Sequence, residues 1–332
     1  MKRSTRYLSG LLTAAALTAS LGAGTAQAEP VQVPSSTAST VAVAQSGKVV
    51  AAGMRLAFDN NLEHPDMCTL GAVGTDSQGR KVGITAGHCN PWEPIRTIKG
   101  PLPRVRTLAN THPVWDWRDM AAGPIGWIRW VSADQSECPA GSGLCLNPLI
   151  AGIDYMVIEF ADTVALSSQV MTVPKYGPDA NGVPFNPDFT GPAPYVPGPI
   201  QVPSEPWFKM NAISADSAGN PTVAGAGTTI CNAGSTTVQG YAQAGDPKTV
   251  QCGPVIYNQA GRNYSWAGMK QGDSGGPMFV KGKPNEWAGI ASWIVDGFPT
   301  QYQVYTSAKK ILDDMNGQTG DFPGKGFQIT NN

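Results

Sequence analysis

The stretch Gly272-Asp273-Ser274-Gly275-Gly276-Pro277 decides how the rest of this chain is read. A serine hydroxyl is a poor nucleophile at neutral pH unless a base removes its proton. It also needs backbone N–H groups aimed at the oxygen that gains charge during attack. Glycines around the serine suit the second need, because they permit tight turns and close approach of a ligand to the backbone. The alternative is a glycine-rich turn that merely contains Ser274. The choice depends on whether the chain also supplies a base and an orienting acid.

The histidines are His64, His88 and His112. His88 lies in Ile84-Thr85-Ala86-Gly87-His88-Cys89, where a strand-like apolar run ends in small residues and a cysteine. A histidine leaving a strand beside a bridged cysteine is held rigidly, as a general base must be. A core histidine satisfied by the backbone is the competing reading, and Ser274 tips the balance against it. His64 and His112 each precede a proline, which fits extended or turn segments. For the acid, Asp154 opens Asp154-Tyr155-Met156-Val157-Ile158-Glu159-Phe160, a run rich in β-formers. A carboxylate entering a buried strand costs free energy unless it is paired, so Asp154 needs a partner. Asp116 and Asp119 compete for the role, but Trp115-Asp116-Trp117-Arg118-Asp119 reads as a surface loop.

These segments, with the later Ser292-Trp293, occur in the order histidine, aspartate, serine. In that order the chain resembles the chymotrypsin-like serine peptidases, especially their bacterial secreted branch, from about residue 53 to 316. The resemblance implies an all-β fold, a double six-stranded β-barrel with a short C-terminal helix. It implies that Ser274 attacks the scissile carbonyl, His88 shuttles the proton and Asp154 orients the imidazole. The N–H groups of Gly272 and Ser274 would form the oxyanion hole, and Ser292, Trp293 and Ile294 an extended edge for the substrate backbone. No metal and no cofactor is expected, and the substrate would be a protein or peptide. A catalytically silent binding or adhesion protein on the same fold is the rival reading.

Specificity departs from the better-known relatives. The position six before Ser274 is Gly268 rather than the aspartate that binds basic side chains in trypsin-type enzymes. No histidine follows His112, which weakens an acid preference of the kind some bacterial relatives show. Ile294 stands where the family usually has glycine, which would narrow the pocket toward small or medium apolar residues. Asp296 nearby keeps a cationic substrate open. The aspartate before the serine, here Asp273, is paired in relatives either with a new N-terminal amine or with an internal arginine. Lys48-Val49-Val50-Ala51-Ala52 is a faint echo of the first pattern, and Arg262 or Arg129 could serve the second.

Lys2, Arg3 and Arg6 precede an apolar run from Leu8 to Leu21 and then Ala26-Gln27-Ala28, the pattern of a secretory signal over residues 1–28. The run is short for a transmembrane span, so a secreted, soluble and monomeric protein without a stable membrane anchor is expected. Removing three basic residues from 23 basic and 24 acidic leaves a net charge of about −4, without basic clusters. Nucleic-acid binding is therefore not expected. Gly 39, Pro 28 and 14% charge point to many turns and short strands. Residues 29–52 read as a short propeptide or mobile leader, 53–173 as the N-terminal barrel and 207–316 as the C-terminal barrel with its helix. Between the barrels, 174–206 holds ten prolines, a composition that excludes a central strand, and 317–332 forms a tail. Ser307 to Asn316 fits a helix with Ile311, Leu312 and Met315 on one face and Gly317 as its stop. Six cysteines suit an oxidising compartment. The resemblance implies Cys68–Cys89 and Cys231–Cys252, which leaves Cys138–Cys145 to close a small loop.

Overall fold

The computed structural model describes residues 48–58, 67–90, 105–106, 112–117, 119–133, 153–170, 208–236, 250–295 and 301–332. The expected signal and most of the leader, His64, Cys138, Cys145, Asp296 and the 174–206 segment lie outside the described residues. All described residues belong to one unit, Val41–Asn332.

Along the first part of the chain the strands are β1 (Val49–Val50), β2 (Arg55–Ala57), β3 (Met67–Thr69), β4 (Ala72–Thr75), β5 (Lys81–Thr85), β6 (Val105–Arg106), β7 (Pro113–Asp116), β8 (Gly126–Ala133), β9 (Asp154–Phe160) and β10 (Ala165–Leu166). The second part adds β11 (Ala212–Ile213), β12 (Thr229–Asn232), β13 (Gln251–Gln259), β14 (Arg262–Ser265), β15 (Pro277–Val280), β16 (Glu286–Trp287), β17 (Gly289–Val295), β18 (Tyr302–Ser307), helix α1 (Ala308–Gly317) and β19 (Gln328–Ile329). Among the described residues the fold is mostly β, with helix α1 and two single 3₁₀ turns, Gly87–Cys89 and Met120–Ala122. Among the described residues no helix is long and apolar enough to cross a membrane.

The expected pair of barrels appears as one closed six-stranded barrel and one half-barrel sheet. In the second part, β12-β13-β14-β18-β17-β15 close into a six-stranded barrel. In the first, hydrogen bonding runs β19-β4-β5-β9-β8-β7-β2-β3, with β6 also on β8. This path is not a closed ring of ladders. Its two inner ends, β3 and β4, are instead one length of chain bent at Leu70-Gly71. Leu70 N–H donates to Met54 O on the β2 side, and Gly71 N–H donates to Ile84 O on the β5 side, both at 2.8 Å. The bend hands the chain from one neighbour to the other within this half-barrel sheet.

Strand β9 shows how the cores are divided. Side chains alternate across a strand, and β9 lies between β5 and β8 with six of its seven residues buried. Met156, Ile158 and Phe160 enter a cluster inside the first barrel with Leu56, Leu70 and Ile128. Tyr155 and Val157 point the other way, into a cluster that also holds Phe279, Trp287 and Ile290 of the second part. Helix α1 seals that shared cluster with Ile311, Leu312 and Met315, the three residues of the expected apolar face. Ser307 caps it, its hydroxyl accepting the Lys310 N–H at 3.2 Å. Gly317 is the last helical residue, and Gln318 rather than Gly317 is the C-cap. A third cluster, with Ile230, Val255 and Tyr305, fills the second barrel.

Both described disulfides match the expected pairs. Cys68–Cys89 joins β3 to the turn after β5, and Cys231–Cys252 links directly opposed residues of β12 and β13. Each closes a separation of 21 residues, a loop whose restriction in the unfolded chain contributes about 3 kcal/mol.

Residues at the end of the expected leader are packed rather than loose. Val49 and Val50 pair in parallel with Ala165 and Leu166, and Val50, Ala51 and Ala52 are buried. Lys48 Nζ lies 2.5 Å from the fully buried carboxylate of Asp116 and 3.4 Å from Asp119. Taking away one partner of a buried pair costs about 3 kcal/mol, because the other keeps its desolvation penalty. Lys48→Met is therefore expected to lower the denaturant midpoint and Tm markedly, measured by urea unfolding and calorimetry. An unchanged midpoint would show that the pair contributes nothing.

Candidate active site

The loop carrying Ser274 is fixed from both parts of the fold. Its carbonyl accepts the Thr69 N–H of β3 at 2.8 Å, while Gly275 N–H donates to Ala291 O of β17 at 2.7 Å. The turn closes on itself through Gly276 N–H to Asp273 O, 2.8 Å. Two glycines are required here by geometry. Gly272 has φ +92° and Gly275 φ +82°, and a Cβ would run into Thr236 Oγ1 at the first and into Thr85 Oγ1 and Thr69 O at the second. Asp273 is fully buried beneath the turn. Its carboxylate accepts the N–H groups of Thr236 (2.8 Å) and Lys270 (2.7 Å). The N–H groups of Asp273, Gly275 and Gly276 have internal backbone acceptors; those of Gly272 and Ser274 have none among the described residues.

His88 arrives from the opposite barrel. Strand β5 ends at Thr85, and the chain makes one 3₁₀ turn, Gly87–Cys89, pinned by the Cys68 bridge. Asp154, at the start of β9, reaches under this turn. Its Oδ1 accepts the His88 backbone N–H at 2.9 Å and its Oδ2 lies 2.8 Å from His88 Nδ1. The carboxylate thus has the partners that its burial demands. With Asp154 accepting the proton on Nδ1, Nε2 is left to accept from the Ser274 hydroxyl, 2.8 Å away. Trp293 meets the imidazole edge-on, with ring centroids 5.5 Å apart. Burial lowers the affinity of the imidazole for a proton. The charge of Asp154 and its hydrogen bond outweigh that, so the His88 pKa is raised above its ordinary 6.5.

The competing residues lie elsewhere. Asp116 and Asp119 meet Lys48, and His112 precedes β7, where its carbonyl accepts the Ile128 N–H. Cys68, His88 and Cys89 bring potential ligand atoms within 4.8 Å of one another. Both sulfurs are consumed in the disulfide and offer no thiolate to a metal. Arg129 pairs with Glu159 at 3.3 Å.

Beside Ser274, β17 pairs with β18 along its length but with β15 only at Gly289 and Ile290. The other edge of Ser292–Val295 therefore has no strand partner among the described residues. A bulge between Ala291 and Trp293 marks this change. Ser292 is buried, its hydroxyl 2.7 Å from Thr306 Oγ1. Ile294 packs against the cluster of Ala267, Met269 and Tyr305. Tyr305 donates its hydroxyl proton to Ala267 O at 2.7 Å, immediately before Gly268. Gly268 is partly exposed, with Gln251 Oε1 3.1 Å from where a Cβ would stand. Gln303 lies opposite Ile294, and its side-chain amide donates to the carbonyls of Ser265 and Ala267, at 3.0 Å each, when its nitrogen is assigned to the atom that faces them.

Four residues of this site were not singled out in the sequence: Arg55, Thr69, Ser235 and Thr236. Thr69 Oγ1 lies 2.7 Å from Ser235 Oγ and 2.8 Å from Gly272 O, and it accepts the Ser235 N–H at 3.0 Å. Arg55 was available by the reasoning that found Asp154. It is a charge inside the apolar run Met54-Arg55-Leu56-Ala57-Phe58 and must have a partner.

The family model described as Trypsin matches residues 202–314. No curated protein matches the chain. Among solved structures, it is similar to Thermobifida fusca protease A, at 16% identity over 86% of this chain and 100% of that one, TM-score 0.42. It is likewise similar to a Cellulomonas bogoriensis chymotrypsin, at 18% identity over 85% and 98%, TM-score 0.42. A third is a glutamic acid specific serine protease whose substrate binding uses a histidine triad, at 14% identity over 85% and 100%, TM-score 0.43.

The raised proton affinity of His88 is directly measurable. Following its imidazole resonances by NMR, the titration midpoint is expected above pH 6.5, and in Asp154→Asn it is expected to fall below the wild-type midpoint. A wild-type midpoint below 6.5 would mean that burial, not Asp154, dominates.

Proposed function

With a trypsin-family domain at residues 202–314 as premise, we propose that the protein is a secreted serine endopeptidase working through Ser274, His88 and Asp154. The observation that carries this reading is the single imidazole bridging two groups, 2.8 Å from Asp154 Oδ2 and 2.8 Å from Ser274 Oγ. The substrate carbonyl carbon is attacked by Ser274 Oγ while Nε2 of His88 takes the hydroxyl proton. The oxygen that becomes negative is received by the N–H groups of Gly272 and Ser274, the two in this turn without an internal acceptor. His88 then passes its proton to the leaving amine, and the acyl-enzyme is hydrolysed by the same steps with water as nucleophile. Asp154 stays ionised, fixes the tautomer and stabilises the imidazolium.

The open edge at Ser292–Val295 offers ladder hydrogen bonds to an extended peptide, so the substrate is a peptide backbone rather than a small ester. Gly268 brings no charge, and Ile294, packed against Ala267 and Met269, would narrow a pocket beside it. A small or medium apolar side chain before the scissile bond fits this lining. The disulfides support an extracellular setting.

An active-site phosphonate is expected to label Ser274 in the wild type and to leave Ser274→Ala unlabelled, located by peptide mass mapping. Absence of label on properly processed protein would favour the catalytically silent reading. Asp154→Asn is expected to lower kcat by about 10⁴-fold, with the hydrogen-bonding shape kept but the wrong tautomer favoured. Profiling with a peptide library should show cleavage after small or medium apolar residues. Dominant cleavage after Arg or Lys would overturn the pocket assignment.

A further inference from the structure

We propose that Arg55 is a positioning residue for the oxyanion-binding turn, acting across the barrels through Ser235 and Thr236. The inference rests on the hydrolase reading above, and it concerns a residue outside the triad, the oxyanion donors and the substrate edge.

Arg55 stands on β2 of the first barrel and is only 1% exposed. Its guanidinium crosses to the second part of the fold, 180 residues away. Nε donates to Ser235 Oγ at 3.3 Å, and Nη2 donates to Ser235 O at 3.2 Å and Thr236 Oγ1 at 3.3 Å. The group lies 4.8 Å from the centroid of the Trp117 ring, an arrangement that holds a cation by the ring quadrupole. Its planar fork, which a lysine could not reproduce, matches three acceptors on two adjacent residues.

Those two residues touch the turn directly. Thr236 N–H donates to Asp273 Oδ1 at 2.8 Å, and Thr236 Oγ1 occupies the space that a side chain on Gly272 would need. Gly234 packs so closely that its own Cβ would overlap the Asp273 carboxylate. Asp273 precedes the nucleophile, and its other oxygen holds Lys270 N–H. A shift of Ser235–Thr236 therefore moves Asp273 and Gly272 together, and with them the direction of the N–H groups of Gly272 and Ser274. The hydrogen bonds of Arg55 to Ser235 and Thr236 lead through those residues to the turn, so its influence falls on transition-state charge rather than on substrate docking.

The test compares Arg55→Met with Arg80→Met. Arg80 is another arginine held by carboxylates, Asp76 and Asp321, and it has no contact with the Ser274 turn. In Arg55→Met, kcat is expected to fall about 10- to 100-fold, less than the loss of an oxyanion donor itself, with KM nearly unchanged. Affinity for a peptide boronic acid, which forms a tetrahedral adduct on serine, is expected to fall by the same factor. Arg80→Met should lose stability while kcat stays at the wild-type value. Amide hydrogen exchange in the folded proteins gives a readout independent of turnover: faster exchange at Thr236 and Asp273 is expected in Arg55→Met and not in Arg80→Met. Unchanged exchange at these amides, or a kcat loss matched by Arg80→Met, would overturn the positioning role. If the wild type neither hydrolyses peptides nor takes the phosphonate label, the hydrolase reading fails, while the exchange experiment still decides whether Arg55 orders the turn.

Discussion

The hydrogen bond from Thr69 N–H to the Ser274 carbonyl is the constraint on which the site depends. Thr69 follows Cys68, which is bridged to Cys89, which follows His88, whose Nε2 returns to Ser274 Oγ. This is a closed circuit of one covalent bridge, two hydrogen bonds and a few residues of backbone. It spans both barrels and leaves little room for the histidine and the serine to drift apart. One hydrogen bond contributes only about 1 kcal/mol net, so the circuit does not hold the barrels together. That is done by the cluster shared between Tyr155, Val157, Phe279, Trp287, Ile290 and α1. The circuit converts a packed interface into a registered one.

Two buried carboxylates carry the electrostatics, and both follow the same rule. A carboxylate removed from water must be met by donors, and each donor fixes a piece of chain. Asp154 collects the backbone N–H and the ring of His88. Asp273 collects the N–H groups of Thr236 and Lys270. The first orients the imidazole of His88 and the second shapes the turn that carries Ser274. Burial is thus useful for orientation at both positions, because a poorly met charge would be too costly to tolerate.

Much of this was legible in the chain because the signals are local. The β9 run, the apolar face of α1 and the glycines around Ser274 each express a short-range requirement: a run of β-formers buried on both faces, period-3.6 burial and positive φ. Asp154 was distinguishable from Asp116 by the apolar strand that follows it, and Asp116 did find a different partner in Lys48. Arg55 was equally visible as a charge in an apolar run, but its partners were not. Ser235 and Thr236 are ordinary hydroxyl residues in a turn-rich stretch, and nothing in their neighbourhood points 180 residues back.

By itself, then, the sequence determined the candidates for a nucleophile, a base and an acid, together with the strands and turns that stiffen them. These depend on side-chain type and on spacing within a few residues. Only the tertiary structure decided that the second part closes through ladders while the first forms a half-barrel sheet bent at Leu70-Gly71. It alone placed Thr69, Ser235 and Arg55 around the turn of Gly272 to Pro277. The reason is physical: such contacts join residues far apart in the chain, and they are selected by packing and by the need to pair buried polar groups, neither of which leaves a local pattern.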